Sequence, residues 1–99
     1  MVEIRKIVLD VLKPHDPDIA QLAVQLAGLK GVDGANISVY EMDKEVENIK
    51  VTIEGPSLNM SEINNMISKA SGTVHSIDEV VAGKTVVEEE ETLHERSHG

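Results

Sequence analysis

The sequence predicts one α+β domain, a ferredoxin-like βαββαβ sandwich, from its length and the order of its hydrophobic patterns. A chain of 99 residues has room for a single core. Four segments have the apolar pattern of strands, and in two others the apolar residues recur every three or four positions, as in a helix. Their order along the chain is β-α-β-β-α-β. Right-handed crossovers then place both helices on one face of a four-stranded antiparallel sheet of spatial order 4-1-3-2. Within that sheet, we expect the first and third strands to lie parallel at the centre.

The first half of the chain is predicted to form a buried strand and a helix. A nearly continuous apolar run over residues 4–12 is typical of a central strand that is covered on both faces. After a short loop, Asp16 is expected to cap the helix, with Pro17 at its first position and Asp18 complementing the helix dipole. Gly31 is expected to end this helix.

The second half is predicted to contain three strands, over residues 35–42, 46–54 and 73–81. Gly55 and Pro56 are expected to end the middle one of these. Asn59 can cap the second helix, with Glu62 three residues later in a capping box. Residues 84–87 are expected either to extend the last strand or to form a short fifth one.

The domain is predicted to occupy residues 1–87 and to be followed by an acidic, disordered tail over residues 88–99. The tail contains His94 and His98 in the pattern H-E-x-x-H, which binds zinc when it lies on a helix beside a cleft. Only Gly99 follows, so no third ligand is available downstream. We therefore expect no catalytic metal site in the tail.

The composition restricts the class of partner. Eighteen acidic and nine basic residues give a formal charge of −9, and Tyr40 is the only aromatic residue. Nucleic acids and anionic membranes attract clustered basic residues, so neither is an expected partner. The absence of cysteine fits a reducing compartment, and the sequence shows no signal peptide or membrane-spanning run. We expect a cytoplasmic protein.

The uncovered face of the sheet predicts self-association. Two helices cover only one face, and the other is expected to display many apolar side chains: Val8, Leu12, Tyr40, Met42, Val74 and Val80. Asp10 and Lys50 are expected to be neighbours there. A homo-oligomer buries such a face. A second predicted mode of self-association is pairing of residues 85–87 with an edge strand of a neighbouring subunit. The alternative is a half-polar face with scattered apolar side chains in solvent.

An acidic turn between the second and third strands is a candidate metal site. It carries Glu41, Asp43, Glu45 and Glu47, whose oxygen atoms suit Ca²⁺ or another divalent cation. The spacing is not that of an EF-hand, because the glycine and the distant glutamate are missing. The alternative is a solvated turn that discourages edge pairing. In a ring of subunits, several such turns could share one cation.

A second candidate ligand site combines Asp10, His15, His75 and Asp78. The loop after the first strand leads into a helix, a common ligand position in α/β units, and His75 is expected to approach Asp10 and His15. A histidine near carboxylates can titrate, bind metal or transfer protons. The alternative is a hydrogen-bonded structural histidine. Because the sequence offers no nucleophile–base set and no glycine-rich phosphate loop, an enzyme is not expected.

Three segments of the sequence resemble a known family. They are IVLDVLKPH at residues 7–15, ENIKVTIEG at 47–55 and HSIDEVVAG at 75–83. They are similar to the three blocks of an archaeal family, domain-of-unknown-function family 211, and the likeness extends to about Glu90. The resemblance implies a ferredoxin-like fold, ring-like homo-oligomers and a divalent cation, but no activity. The tail beyond Glu90 matches nothing in the family.

Three functional hypotheses follow. The first is a non-enzymatic homo-oligomeric module that binds a divalent cation, such as calcium, or a small metabolite between subunits. The second is a metabolite-sensing domain that acts on a partner protein. It rests only on a shared topology with amino-acid-binding regulatory domains. The third is an enzyme centred on His15, His75 and the nearby carboxylates.

Overall fold

Four strands and two helices alternate as β-α-β-β-α-β in the computed structural model, which describes residues 2–90. The elements are β1 (Ile4–Pro14), α1 (Ile19–Ala27), β2 (Gly34–Met42), β3 (Val46–Leu58), α2 (Met60–Lys69) and β4 (Thr73–Ala82). The strands form one sheet in the order β2-β3-β1-β4. This is the predicted order 4-1-3-2 read from the opposite edge, so the ferredoxin-like α+β fold is confirmed.

The two central strands run antiparallel, and the expectation that they lie parallel is wrong. Asp10 of β1 stands opposite Lys50 of β3 in an antiparallel register. The reason lies in the connections. The helical crossover makes β2 parallel to β1, and the tight hairpin after β2 then reverses the chain, so β3 must run against β1.

The core lies between the sheet and the two helices and consists of aliphatic side chains. β1 and β3 each turn alternate residues toward the helices, and each helix adds two fully buried residues. The main members of the core are Ile7, Leu9, Val11, Leu22, Leu26, Ile49, Val51, Ile53, Ile63 and Ile67. Branched aliphatic residues pack well on a pleated surface, which explains how a chain with no Phe or Trp closes its core.

The first helix begins two residues later than predicted. Its N-cap is Asp18, whose carboxylate accepts a hydrogen bond from the Gln21 amide at 2.8 Å. The Gln21 side chain accepts in return from the Asp18 amide at 3.1 Å. The residue three positions after Asp16 is Ile19, whose side chain has no acceptor, so Asp16 cannot form such a capping box. The cap is therefore Asp18, and Pro17 lies outside the helix. The helix ends at Ala27, before Gly31.

The third strand does not end at Gly55 and Pro56 but continues to Leu58. An irregular register with β1 accommodates these residues. Gly31 approaches this segment so closely that a Cβ on it would lie 1.9 Å from the Ser57 carbonyl oxygen. Gly31 also has a φ of +84°, which disfavours any other residue. The close approach anchors the loop between α1 and β2 on the sheet.

The second helix begins as predicted, since the Asn59 side chain accepts from the Glu62 amide at 3.1 Å. Residues 84–87 neither extend β4 nor form a strand. In the part of the chain that the structure describes, no helix has the length and apolar character to cross a membrane. Most of the tail, including His94 and His98, lies outside the described residues, so its disorder stays a prediction.

Candidate functional site at the hairpin end of the sheet

A buried ion pair marks the place where β1 ends and β3 begins. The Lys13 Nζ atom lies 3.0 Å from Oε2 of Glu47, and the two side chains are 0% and 5% exposed. The two residues stand opposite each other in the β1–β3 register, which continues the helix-covered face. Lys13 also donates to the Pro14 carbonyl at 2.7 Å. Buried charges are tolerated only when they are paired, so each residue requires the other.

His15 joins this pair to the turn between β2 and β3. Its Nδ1 lies 2.9 Å from Oε1 of Glu47, and its Nε2 lies 2.8 Å from the Asp43 carbonyl oxygen. Both partners are acceptors, so only the doubly protonated imidazolium can donate both hydrogen bonds. The hydrogen bond to Glu47, followed by the one to the Asp43 carbonyl, raises the pKa of His15 above its ordinary value of 6.5. His15 therefore acts as a charged brace between β1 and the hairpin.

The turn itself is held by Asp43. Its Oδ1 accepts hydrogen bonds from the Glu45 and Val46 amides, each at 2.9 Å, and its own amide donates to the Val46 carbonyl at 2.9 Å. The Val46 and Glu45 amides lower the pKa of the Asp43 carboxyl. This is the local hydrogen bonding that favours aspartate in turns.

Two of the four acidic residues of the hairpin, Asp43 and Glu47, already bind protein groups through their carboxylates. Both carboxylate oxygens of Glu47 face Lys13 or His15. Burial acts to raise the pKa of Glu47, but the hydrogen bonds from His15 and Lys13 outweigh it and hold the pKa below its ordinary 4.5. Within residues 2–90, no three His, Asp or Glu side chains converge as a metal-binding group. A cation held by Glu41, Asp43, Glu45 and Glu47 stays a prediction, without a preformed site in one chain.

The second predicted site, formed by Asp10, His15, His75 and Asp78, is divided between the two strands that flank β1, which are β3 and β4. His15 turns toward β3, whereas His75 lies in an irregularity of β4 opposite Asp10 and Val11. Asp10 accepts a hydrogen bond from the Asn48 side chain, on the β3 side. Asp78 accepts from the Ser76 hydroxyl at 2.7 Å. The register therefore brings His75 near Asp10, as expected, but His15 belongs to the hairpin brace.

Sequence reasoning missed the Lys13–Glu47–His15 cluster. The pattern predicts a strand that ends at residue 12, which leaves Lys13 in the following loop, and it predicts Glu47 as a metal ligand. One signal was available. Lys13 continues the alternation of Val11, and Glu47 continues that of Ile49, so two opposite charges were due on the buried face of adjacent strands.

The uncovered face of the sheet is more polar than predicted. Val74 stands opposite Val11 and packs against the core, and Val80 stands opposite Ile7, so both belong to the helix-covered face. The expectation that they lie on the open face is wrong. The register decides the side: strand alternation puts Val74 and Val80, six residues apart, on one face, and their partners Val11 and Ile7 make it the helix-covered one. Two register irregularities between them turn Ile77, opposite Leu9, to the same face.

The open face instead carries a charged network with few apolar groups. Lys6 and Glu79 form an ion pair at 3.2 Å, and the Lys50 ammonium lies 5.3 Å from the centre of the Tyr40 ring. Asp10 stands opposite Lys50, as expected. Val8 is already buried on this face, which leaves little apolar area at its centre.

Comparison with known proteins places these features in a family. A family model described as "Uncharacterized ArCR", domain-of-unknown-function family 211, matches residues 5–96. The match continues beyond Glu90, so the expectation that the tail matches nothing in the family is wrong. An uncharacterized protein of Methanocaldococcus jannaschii is 57% identical over 93 residues, which cover 94% of this chain and 96% of that protein. Neither description names an activity, a ligand or a partner.

Proposed function

Since the chain belongs to domain-of-unknown-function family 211, which supplies no activity, we propose a function from its exposed surface: it is a non-enzymatic binding module that self-associates through the outer flank of β4. The observation that carries this proposal is the exposure of Ile77 and Val80 on that strand, 54% and 53% respectively. Large apolar side chains that share one exposed region mark interaction surfaces.

The β4 flank is uncovered because the helix layer is narrower than the sheet. β4 is an edge strand with β1 as its neighbour, and α2 makes only a limited contact with it. A groove of about 280 Å³ runs between α2 and β4, with Met60, Ile67 and Ile77 among the residues that line it. A second copy that packs here would cover both the groove and the strand.

The flank is large enough for a stable contact. Ten residues of β4 extend over roughly 33 Å at about 3.3 Å per residue. The molecule is 18 Å thick in its shortest dimension. One flank thus offers about 600 Å², and two copies bury about 1,200 Å², the lower end of specific interfaces.

Side-chain packing, rather than strand addition, is the expected mode of contact. The register of β4 with β1 shifts three times along its length. Irregularities of this kind interrupt the even row of backbone groups that a new strand requires. Isologous packing of the two apolar flanks needs no continuous ladder and closes as a dimer, from which larger rings can be built through other surfaces.

The ligand part of the proposal is a divalent cation or a small metabolite held between subunits. Assembly could bring the free carboxylates of Glu41 and Glu45 from different copies together, which a single chain does not do. The non-enzymatic part is supported by His15, whose two ring nitrogens are both occupied by structural hydrogen bonds. The proposal places the module in the cytoplasm, in keeping with its lack of cysteine.

A matched pair of substitutions tests the assembly. Val80→Lys places a charge on the β4 flank, and Val24→Lys makes the same change on α1, where the side chain is 72% exposed. Sedimentation velocity should show that Val80→Lys shifts the protein to monomer while Val24→Lys sediments as the unaltered chain. Circular dichroism confirms that both variants fold. Equal sedimentation of all three proteins would refute the β4 interface.

A further inference from the structure

The hairpin end of the sheet carries a second surface with a different character. We propose that a notch beside Leu12 and Met42 is a docking site for a segment of another protein in which an apolar side chain is flanked by lysine or arginine. This proposal does not depend on self-association, because it uses the opposite edge region of the sheet.

The notch is small, and half of the residues that line it are apolar. It is lined by Leu12, Glu41, Met42, Asp43, Val46 and Asn48 and holds about 190 Å³. Small-molecule sites usually enclose about 300–1,000 Å³, so this one suits one or two inserted side chains better than a metabolite. Leu12 is 45% exposed and Met42 63% exposed, although both lie within strands of the sheet.

The rim of the notch selects the charge of the partner. Glu41 and Asp43 line it, and Glu45 lies in the same turn. Lys44 is the one exposed cation within the turn, and Lys13 is neutralised by Glu47. Three carboxylates against the Lys44 ammonium and the His15 imidazolium leave an excess of negative charge. This excess favours a basic flank on the partner, since charge complementarity decides which partner a surface accepts.

The notch is preorganised. Asp43 fixes the turn through two backbone amides, and His15 ties the Asp43 carbonyl to Glu47. A site whose backbone is already held loses little conformational freedom when a partner binds. The Lys13–Glu47–His15 cluster thus fixes the backbone of the turn that lines the docking site.

Where no cation is bound between subunits, the charge argues against a second copy at this surface. A two-fold contact through the notch would bring Glu41, Asp43 and Glu45 of both copies together. Like charges that face each other across an interface suppress association. The whole chain also carries a formal charge of −9, so a basic partner gains from its field as well.

Peptide binding tests the proposal. The probe is a synthetic peptide with one leucine flanked by lysines in a glycine–serine background. Two controls replace either the leucine by serine or the lysines by glutamates. Titration calorimetry gives Kd, and amide shifts in NMR spectra of the full chain give the location. We expect shifts at Leu12, Met42 and the turn, and weaker binding of both control peptides.

Variants of the protein separate the apolar from the electrostatic part. Met42→Ser and Glu41→Gln should each weaken binding of the probe about five- to tenfold. Two controls lie on the helices: Val24→Ser also replaces an exposed apolar side chain by serine, and Glu62→Gln repeats the change at Glu41. Both should leave Kd unchanged. Absence of binding at millimolar peptide, equal affinity for the serine control, or shifts at β4 would each overturn the proposal. So would a loss of self-association in Met42→Ser, which would make a second copy the occupant.

Discussion

Removal of the buried carboxylate of Glu47 should strongly destabilise the fold. In Glu47→Leu, the Lys13 ammonium stays where its side chain has no solvent exposure and loses its only ion-pair partner among the described residues. Breaking a buried pair from one side costs about 3–5 kcal/mol. Domains of this size have a total stability of about 5–15 kcal/mol, so the loss is a large fraction of the whole. The cause is the unpaired charge, not the missing contact.

Urea denaturation followed by circular dichroism measures this cost. Lys13→Met combined with Glu47→Leu removes both charges and should recover most of the lost free energy of unfolding, because two apolar side chains can share the space. Glu79→Gln, which breaks the more exposed pair with Lys6, is the control and should cost at most about 1 kcal/mol. A cost below about 1 kcal/mol for Glu47→Leu would refute the buried-pair account.

Three further predictions concern single residues. Because the pKa of His15 is raised in the folded state, its stabilisation is complete below the unfolded value of 6.5 and is lost as pH rises through the higher folded value. The free energy of unfolding should therefore fall as the pH rises above about 6.5, and His15→Gln should remove that slope; an unchanged slope would contradict the brace. Asp18→Ala should cost about 1 kcal/mol in thermal or urea unfolding through loss of the helix cap, and a cost near zero would place the helix start elsewhere. Gly31→Ala should cost more than the usual ~1 kcal/mol for strained backbone, because its Cβ would meet the Ser57 carbonyl; a neutral effect would contradict the close approach.

The order and type of the elements were predictable from the sequence. The apolar residues alternate in the strands and form a stripe in α1 that contains Leu22 and Leu26. These patterns identify the buried face of each element, and the burial of those faces determines the fold. The exact ends were less predictable. Asp16 and Asp18 are both candidate helix caps, and they differ only in the residue three positions later, which is Ile19 for Asp16 and Gln21 for Asp18. Pro56 predicts a strand end, but the irregular register with β1 means that no ladder hydrogen bond is lost through its missing amide.

The candidate sites were harder to predict, for two physical reasons. The sequence shows charge but not pairing, so the acidic hairpin suggested a metal ion where Lys13 supplies the cation for Glu47. It also shows alternation but not register irregularities. The shifts in β4 turn Ile77 to the same helix-covered side as Val74 and Val80, so the exposed apolar surface lies on the strand's flank and not on the open face.

The mass of the unaltered chain in solution tests the central claim, self-association, most directly. Native mass spectrometry at micromolar concentration, with calcium and again after chelation, reports both the number of chains and any retained metal. We expect an even-numbered assembly in both samples, because the contact through the apolar β4 flank needs no metal. If subunits share a cation, the extra mass of calcium should be present only in the sample with calcium. A monomer in both samples would contradict the account and leave the exposed flank of β4 without a function.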